Sequence, residues 1–173
     1  MQTDNIFGEV KKLQKKFNTR DPFELLDCLG VVQKTSFAYP KNGLKGYCYF
    51  SKRSTFAVLN GNLSPEEIRI VAAHEAAHAV LHKDLLKLAP LRDFCLYDMK
   101  NRREYDANLF AADFLISDES VEELSANEEM DYFRMCAELC ISPDLMAFKL
   151  FSMIRRGYNY RLPQGLNSGF LGK

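Results

Sequence analysis

Residues 74–78 read His-Glu-Ala-Ala-His, within the run Ala72-Ala73-His74-Glu75-Ala76-Ala77-His78-Ala79-Val80-Leu81-His82. Each residue of a helix turns about 100° and rises about 1.5 Å. His74 and His78 then stand ~40° apart around the axis and ~6 Å apart along it, so one small cation can bridge the two imidazoles. Glu75, ~100° from His74, sits at the margin of that face, badly placed as a third ligand but well placed to hold a water beside the ion. This is the HExxH spacing of two metal ligands and one general base. The chain holds three histidines, His74, His78 and His82, and all fall in this stretch. Histidines used for packing would scatter.

Working outward, five alanines (Ala72, Ala73, Ala76, Ala77, Ala79) let other backbone approach the motif helix, while Ile68, Ile70, Val71, Val80 and Leu81 make most of its circumference apolar. Histidines buried in such a helix need partners for their ring nitrogens, and a metal supplies them. The helix should begin at Ser64-Pro65-Glu66-Glu67, where Ser64 caps, Pro65 takes the first position and Glu67 bonds back, and should run to about His82.

A hydrolytic metal site needs three protein ligands and one open position. No histidine remains downstream, so the third ligand should be a carboxylate. Glu104 is the best candidate, at the start of a separate helix spanning roughly 102–116 whose Ala107, Ala111 and Ala112 suit close packing. Asp106 is its nearest competitor. It stands ~200° from Glu104 around that helix and could instead bond the outer nitrogen of a ligand histidine. Asp98 and Asp93 have no helical frame. His82 continues the stripe, but its Cα lies ~12 Å along the axis from that of His74. Contact with a ligand, or a role at the helix C-terminus, suits it better than coordination.

The rest of the chain reads as one domain over residues 1–156 followed by a loose tail, 157–173, with four Gly and one Pro. Ile6, Val10, Leu13 and Phe17 mark an amphipathic first helix with a solvated face of lysines. Asp21-Pro22-Phe23-Glu24 opens a short second helix that Gly30 ends. Extended runs follow at 31–38, 47–50 and 55–59, separated by short turn-like segments, and predict a small three-stranded antiparallel sheet. Residues 118–131 carry seven Asp or Glu and no base, as a solvated surface would. Two last helices are expected near 128–140 and 142–156. The fold class is therefore α+β, mostly helical, with the sheet packed against the HExxH helix.

Lys plus Arg and Asp plus Glu balance at 23 each, which argues against a dedicated nucleic-acid binder. The five cysteines form no CxxC pair, the N-terminus has no signal-like apolar region, and no stretch approaches a membrane span. A cytoplasmic protein with free thiols and no membrane contact is the expectation. Cys136 and Cys140, one helical turn apart, fit two core residues better than two soft ligands.

His74-Glu-Ala-Ala-His-Ala-Val-Leu-His82 and Glu104-Tyr-Asp-Ala-Asn-Leu-Phe-Ala-Ala-Asp-Phe-Leu-Ile116 together resemble the ImmA/IrrE family of metallo-endopeptidases, a zincin-like group with HExxHxxxH and then ExxAN-x-FA. The resemblance extends over roughly residues 20–155, with a helix-turn-helix-like end at about 128–156. It implies that His74, His78 and Glu104 bind one zinc ion and that Glu75 is the base. It also implies a protein substrate, a helix-turn-helix transcriptional repressor, often on a mobile element, whose cleavage switches on its genes. The chain departs at Ala76-Ala77, where many members have Leu-Gly, and at Ile116-Ser117, where many have Met-Pro. The residues themselves leave two other readings open: a non-catalytic module that grips a repressor, and a metal hydrolase acting on a non-peptide bond. Tyr97 and Tyr105 are alternatives for steadying an oxyanion.

Overall fold

The computed structural model describes residues 3–93, 101–127 and 129–162. The elements are α1 (Thr3–Phe17), α2 (Pro22–Cys28), β1 (Val31–Ser36), β2 (Gly46–Ser51), β3 (Ser54–Asn60), α3 (Pro65–Leu81), α4 (Lys83–Leu86), β4 (Leu91–Asp93), α5 (Arg102–Leu115), α6 (Asp118–Ser125), α7 (Tyr132–Glu138) and α8 (Pro143–Arg155). The architecture is mostly helical α+β, as the sequence predicts. No helix among the described residues is long and apolar enough to cross a membrane.

α3 is the central element. Ser64 accepts from the Glu67 amide at 3.2 Å and the Glu67 carboxylate accepts from the Ser64 amide at 3.0 Å, a complete capping box. From Ile70 to His78 every residue is buried, because the helix is apolar around most of its circumference. It packs on β2 and β3 on one side and on α2 and α5 on the other. Ala72, Ala73, Ala76 and Ala77 on α3, and Ala107, Ala111 and Ala112 on α5, are fully buried. Small side chains bring these two helices close enough to share a site. α1 buries Ile6, Val10 and Leu13 and packs on α5 and α8.

The sheet differs from the expected antiparallel triplet. It has four strands in the order β1-β3-β2-β4, and β1 runs parallel to β3, while β2 pairs antiparallel with both β3 and β4. Short connections argue against parallel pairing only between consecutive strands. Here β3 inserts between β1 and β2, so residues 37–53 together make the crossover, which is long enough. The hairpin between β2 and β3 turns on Lys52 (φ 47°) and Arg53 (φ 68°), the left-handed pair that a two-residue hairpin demands. The three-residue β4 gives no periodic signal in sequence.

Three further expectations are corrected. The acidic stretch from 118 is not wholly a solvated surface. Ser117 caps α6, and Asp118 is buried against Lys149 and Arg156, while Glu119, Glu122, Glu123, Glu129 and Asp131 are exposed. α7 starts at Tyr132 rather than near 128, because Asp131 caps it by accepting from the Arg134 amide. Cys136 is buried in the core as expected, whereas Cys140 is exposed and ends the helix. Cys140 takes φ 51°, its amide bonds to the Ala137 carbonyl, and the Ile141 amide bonds back to the Cys136 carbonyl, a Schellman closure. Cys28, Cys48, Cys136 and Cys140 are all free thiols; Cys95 lies outside the described residues. Of the tail, Tyr158 and Tyr160 stack on each other and pack against the core, and residues 163–173 lie outside the described residues.

Candidate metal centre

The site forms where the middle of α3 meets the first turn of α5. α5 is started by Asn101, whose side-chain oxygen accepts from the Arg103 amide at 3.1 Å. That start fixes Glu104 in the opening turn, facing α3. His74 Nε2 lies 3.0 Å from Glu104 Oε2 and 3.1 Å from His78 Nε2, and His78 Nε2 lies 3.6 Å from the same carboxylate oxygen. The imidazoles are buried and the Glu104 side chain is 13% exposed.

Metal ions of the zinc type bind nitrogen and oxygen ligands at about 2.0–2.1 Å in a tetrahedron, so the ligand atoms stand roughly 3.3–3.4 Å from one another. The three observed separations bracket that value. Two imidazole nitrogens and one carboxylate oxygen are also a hydrolytic donor set. The residues present fit a single divalent ion, and His74, His78 and Glu104 form a group that could hold one.

The outer ring nitrogens are engaged as well. His74 Nδ1 lies 2.9 Å from Asn108 Oδ1, and His78 Nδ1 lies 2.9 Å from His82 Nδ1. His82 is also the C-terminal cap of α3, its amide donating to the His78 carbonyl. Burial, reinforced by the neighbouring His78, lowers the His82 imidazole to about 4. His82 therefore touches the candidate ligand His78 and does not join the cluster.

Glu75 is fully buried and turned towards β2. A Cβ at Gly46 would stand 2.5 Å from Glu75 Oε1 and 2.6 Å from Val71 Cγ1, so only glycine lets β2 pass over that carboxylate. The buried Cys48 thiol, also on β2, lies 3.4 Å from the Glu75 carbonyl oxygen. One strand thus backs both ends of this residue.

The model of the Peptidase M78 family, the IrrE N-terminal-like domain, matches residues 32–151. The chain belongs to this family. The M78 match takes in the motif helix, Glu104 and the sheet, and leaves α1 outside. Among curated proteins, an uncharacterized immunity region protein 2 of Bacillus phage phi105 is 29% identical over 116 residues, 65% of this chain and 69% of its own length. No solved structure matches the chain.

Within this M78 domain the structure brings His74, His78 and Glu104 together, with Glu75 adjoining on the sheet side. It does not bring Asp106 to a ligand histidine. Asp106 pairs with Arg102 at 3.0 Å, and burial raises its carboxyl despite that guanidinium. Asn108 holds the position expected of Asp106. The signal was its place four residues after Glu104, one turn on along the same face. Tyr105 packs edge-on against Phe148 and Phe151 of α8, and burial pushes its hydroxyl up to about 12. Its ring belongs to the interface with α8. Tyr97, Asp98 and the side chain of Asp93 lie outside the described residues.

Proposed function

We propose that this M78 chain is a zinc-dependent endopeptidase of the cytoplasm that cuts a helix-turn-helix transcriptional repressor and so releases the genes it silences. The observation that carries the reading is the convergence of two motif imidazoles and the Glu104 carboxylate, inside a metallopeptidase family domain. The phage relative, described as an immunity region protein, supports the link to a mobile element.

His74, His78 and Glu104 would hold the ion. When bound, a divalent ion polarises a carbonyl and makes water a nucleophile near neutral pH. Glu75 acts as the general base: its carboxylate accepts a proton from the attacking water and delivers it to the leaving amide nitrogen, help worth about 10²–10⁴-fold. The walls of α3, β2 and α5 keep other water away from the buried carboxylate. β1 and the short β4 are the sheet's outer strands, and an extended segment of the substrate adds to one of them as a further strand.

α7 and α8 are not read as a DNA-binding pair. Lys149 is 1% exposed and its ammonium bonds Asp113 at 3.1 Å and Asp118 at 2.6 Å, out of reach of a phosphate.

The test is incubation of the purified chain with a helix-turn-helix repressor, taken from a neighbouring reading frame where one encodes it, with and without a chelator. Cleavage that the chelator abolishes and zinc restores is expected. Glu75→Gln should bind zinc as the unmodified chain does and lose about 10²–10⁴ in turnover. Cleavage by that variant at the full rate would leave Glu75 without the role assigned to it.

A further inference from the structure

The two ligand imidazoles are held by side chains of different kinds on different elements. Asn108, on α5, meets His74 from the helix that also supplies Glu104; His82, at the end of α3, meets His78 from the motif helix itself. Neither is a ligand. An amide oxygen only accepts, so His74 Nδ1 must carry a proton, and a neutral His74 then keeps its lone pair on Nε2, facing His78 and Glu104. The amide nitrogen of Asn108 is buried and makes no hydrogen bond among the described residues. The side chain is held for its oxygen.

The His78–His82 contact obeys a stricter rule. One proton lies between two Nδ1 atoms, so one ring donates and the other accepts. His78 can offer its Nε2 lone pair to an ion only if it is the donor. His82 must then carry its own proton on Nε2.

We infer that Asn108 and His82 are positioning residues which fix the His74 and His78 tautomers, so that both Nε2 lone pairs are offered to an ion shared with Glu104. The inference rests on the metal-site reading given above. It assigns opposite tautomers to neighbouring histidines of one stripe: Nδ1–H for His74 and His78, Nε2–H for His82. It also separates the two supports. Loss of Asn108 frees His74 alone, and loss of His82 frees His78 alone.

Zinc affinity by chelator competition and ring ¹⁵N spectra test this without turnover. The chain has three histidines, so the spectrum holds three ring systems. In the zinc-loaded protein, His74 and His78 should show a protonated Nδ1 and His82 a protonated Nε2. Asn108→Leu and His82→Phe should each weaken zinc binding by about 10–100-fold. Asn108→Asp, which keeps an accepting oxygen, and His82→Gln, which replaces the accepting nitrogen by an accepting oxygen, should recover most of it; a purely structural role would not track the acceptor. Unchanged affinity in both Asn108→Leu and His82→Phe, or a proton on His82 Nδ1, would overturn the inference while leaving the metal site intact; a proton on His74 Nε2 would overturn both. Should a variant not fold, the His82 ring of the unmodified zinc-loaded chain decides: a proton on its Nε2 supports the inference and one on its Nδ1 overturns it. Failure of the unmodified chain to bind zinc would overturn this inference together with the reading beneath it.

Discussion

A glycine and a glutamate on different elements depend on each other at this site. Gly46 of β2 leaves no room for a Cβ, because Glu75 Oε1 and the Val71 side chain already occupy it. Gly46→Ala should therefore push the Glu75 carboxylate from its seat. Turnover should fall more than tenfold while zinc affinity stays within about threefold, since neither histidine nor Glu104 touches that methyl. Overpacking should cost about 1–3 kcal/mol of stability, measurable by urea unfolding. Equal loss of zinc binding and turnover would contradict this division of labour. The candidate site was legible because helical spacing alone places His74, Glu75 and His78. Glu104 followed by elimination. Asn108 and Gly46 were not legible in their roles. Which face of α5 meets α3, and which residue of β2 crosses Glu75, depend on the rotation and register of packed elements. Asp106 is the carboxylate that the sequence offers for contact with a ligand histidine, yet α5 is turned so that Asp106 meets Arg102 instead.

At the scale of elements, α5, α6 and α8 are joined by a buried set of charges. Lys149 and Arg156 of the α8 region bond Asp118, Lys149 and Ser152 bond Asp113, and the Arg156 guanidinium lies 3.6 Å from the Phe7 ring centroid of α1. Burial by itself raises Asp118, but the hydrogen bonds from Arg156 and Lys149 outweigh it and hold the carboxyl well below its ordinary range. Such a group contributes stability that is whole above its unfolded value of about 3.9 and is lost as pH falls towards the folded one. Asp113 runs the other way. Burial outweighs Lys149 and raises it, so its share is present at low pH and fades as pH rises through the folded value. Asp118→Asn should therefore start less stable at neutral pH and lose less on acidification below about pH 4. Parallel acid limbs for variant and parent would refute the assignment. This network was illegible because an acidic run looks solvated until a lysine thirty residues on is known to lie beneath it. Strand positions were legible from their aromatic and β-branched runs, whereas pairing was not, since β3 takes the place beside β1 that a simple meander gives to β2. The Lys52-Arg53 turn, with no glycine at either left-handed position, hid the hairpin's type. Arg53→Gly should relieve that conformation and raise stability by on the order of 0.5–1 kcal/mol in thermal unfolding.

Across the whole molecule, the candidate ligands come from two helices that the fold must bring together, so binding of an ion there would be coupled to folding. Zinc at a hundred times its Kd should add about 2.7 kcal/mol, a rise of roughly 5–11 °C in Tm for a chain of this size. A chelator should reverse the rise, and His74→Ala or His78→Ala should abolish it. The helical α+β class was legible at this scale because the capping boxes, alanine faces and periodic apolar positions of α1, α2, α3 and α5 agree with one another. The most direct test is anomalous diffraction at the zinc edge from crystals of the zinc-loaded protein. The account predicts one peak within about 2.0–2.2 Å of His74 Nε2, His78 Nε2 and a Glu104 carboxylate oxygen. A peak elsewhere, or one with Glu104 out of bonding distance, would contradict it.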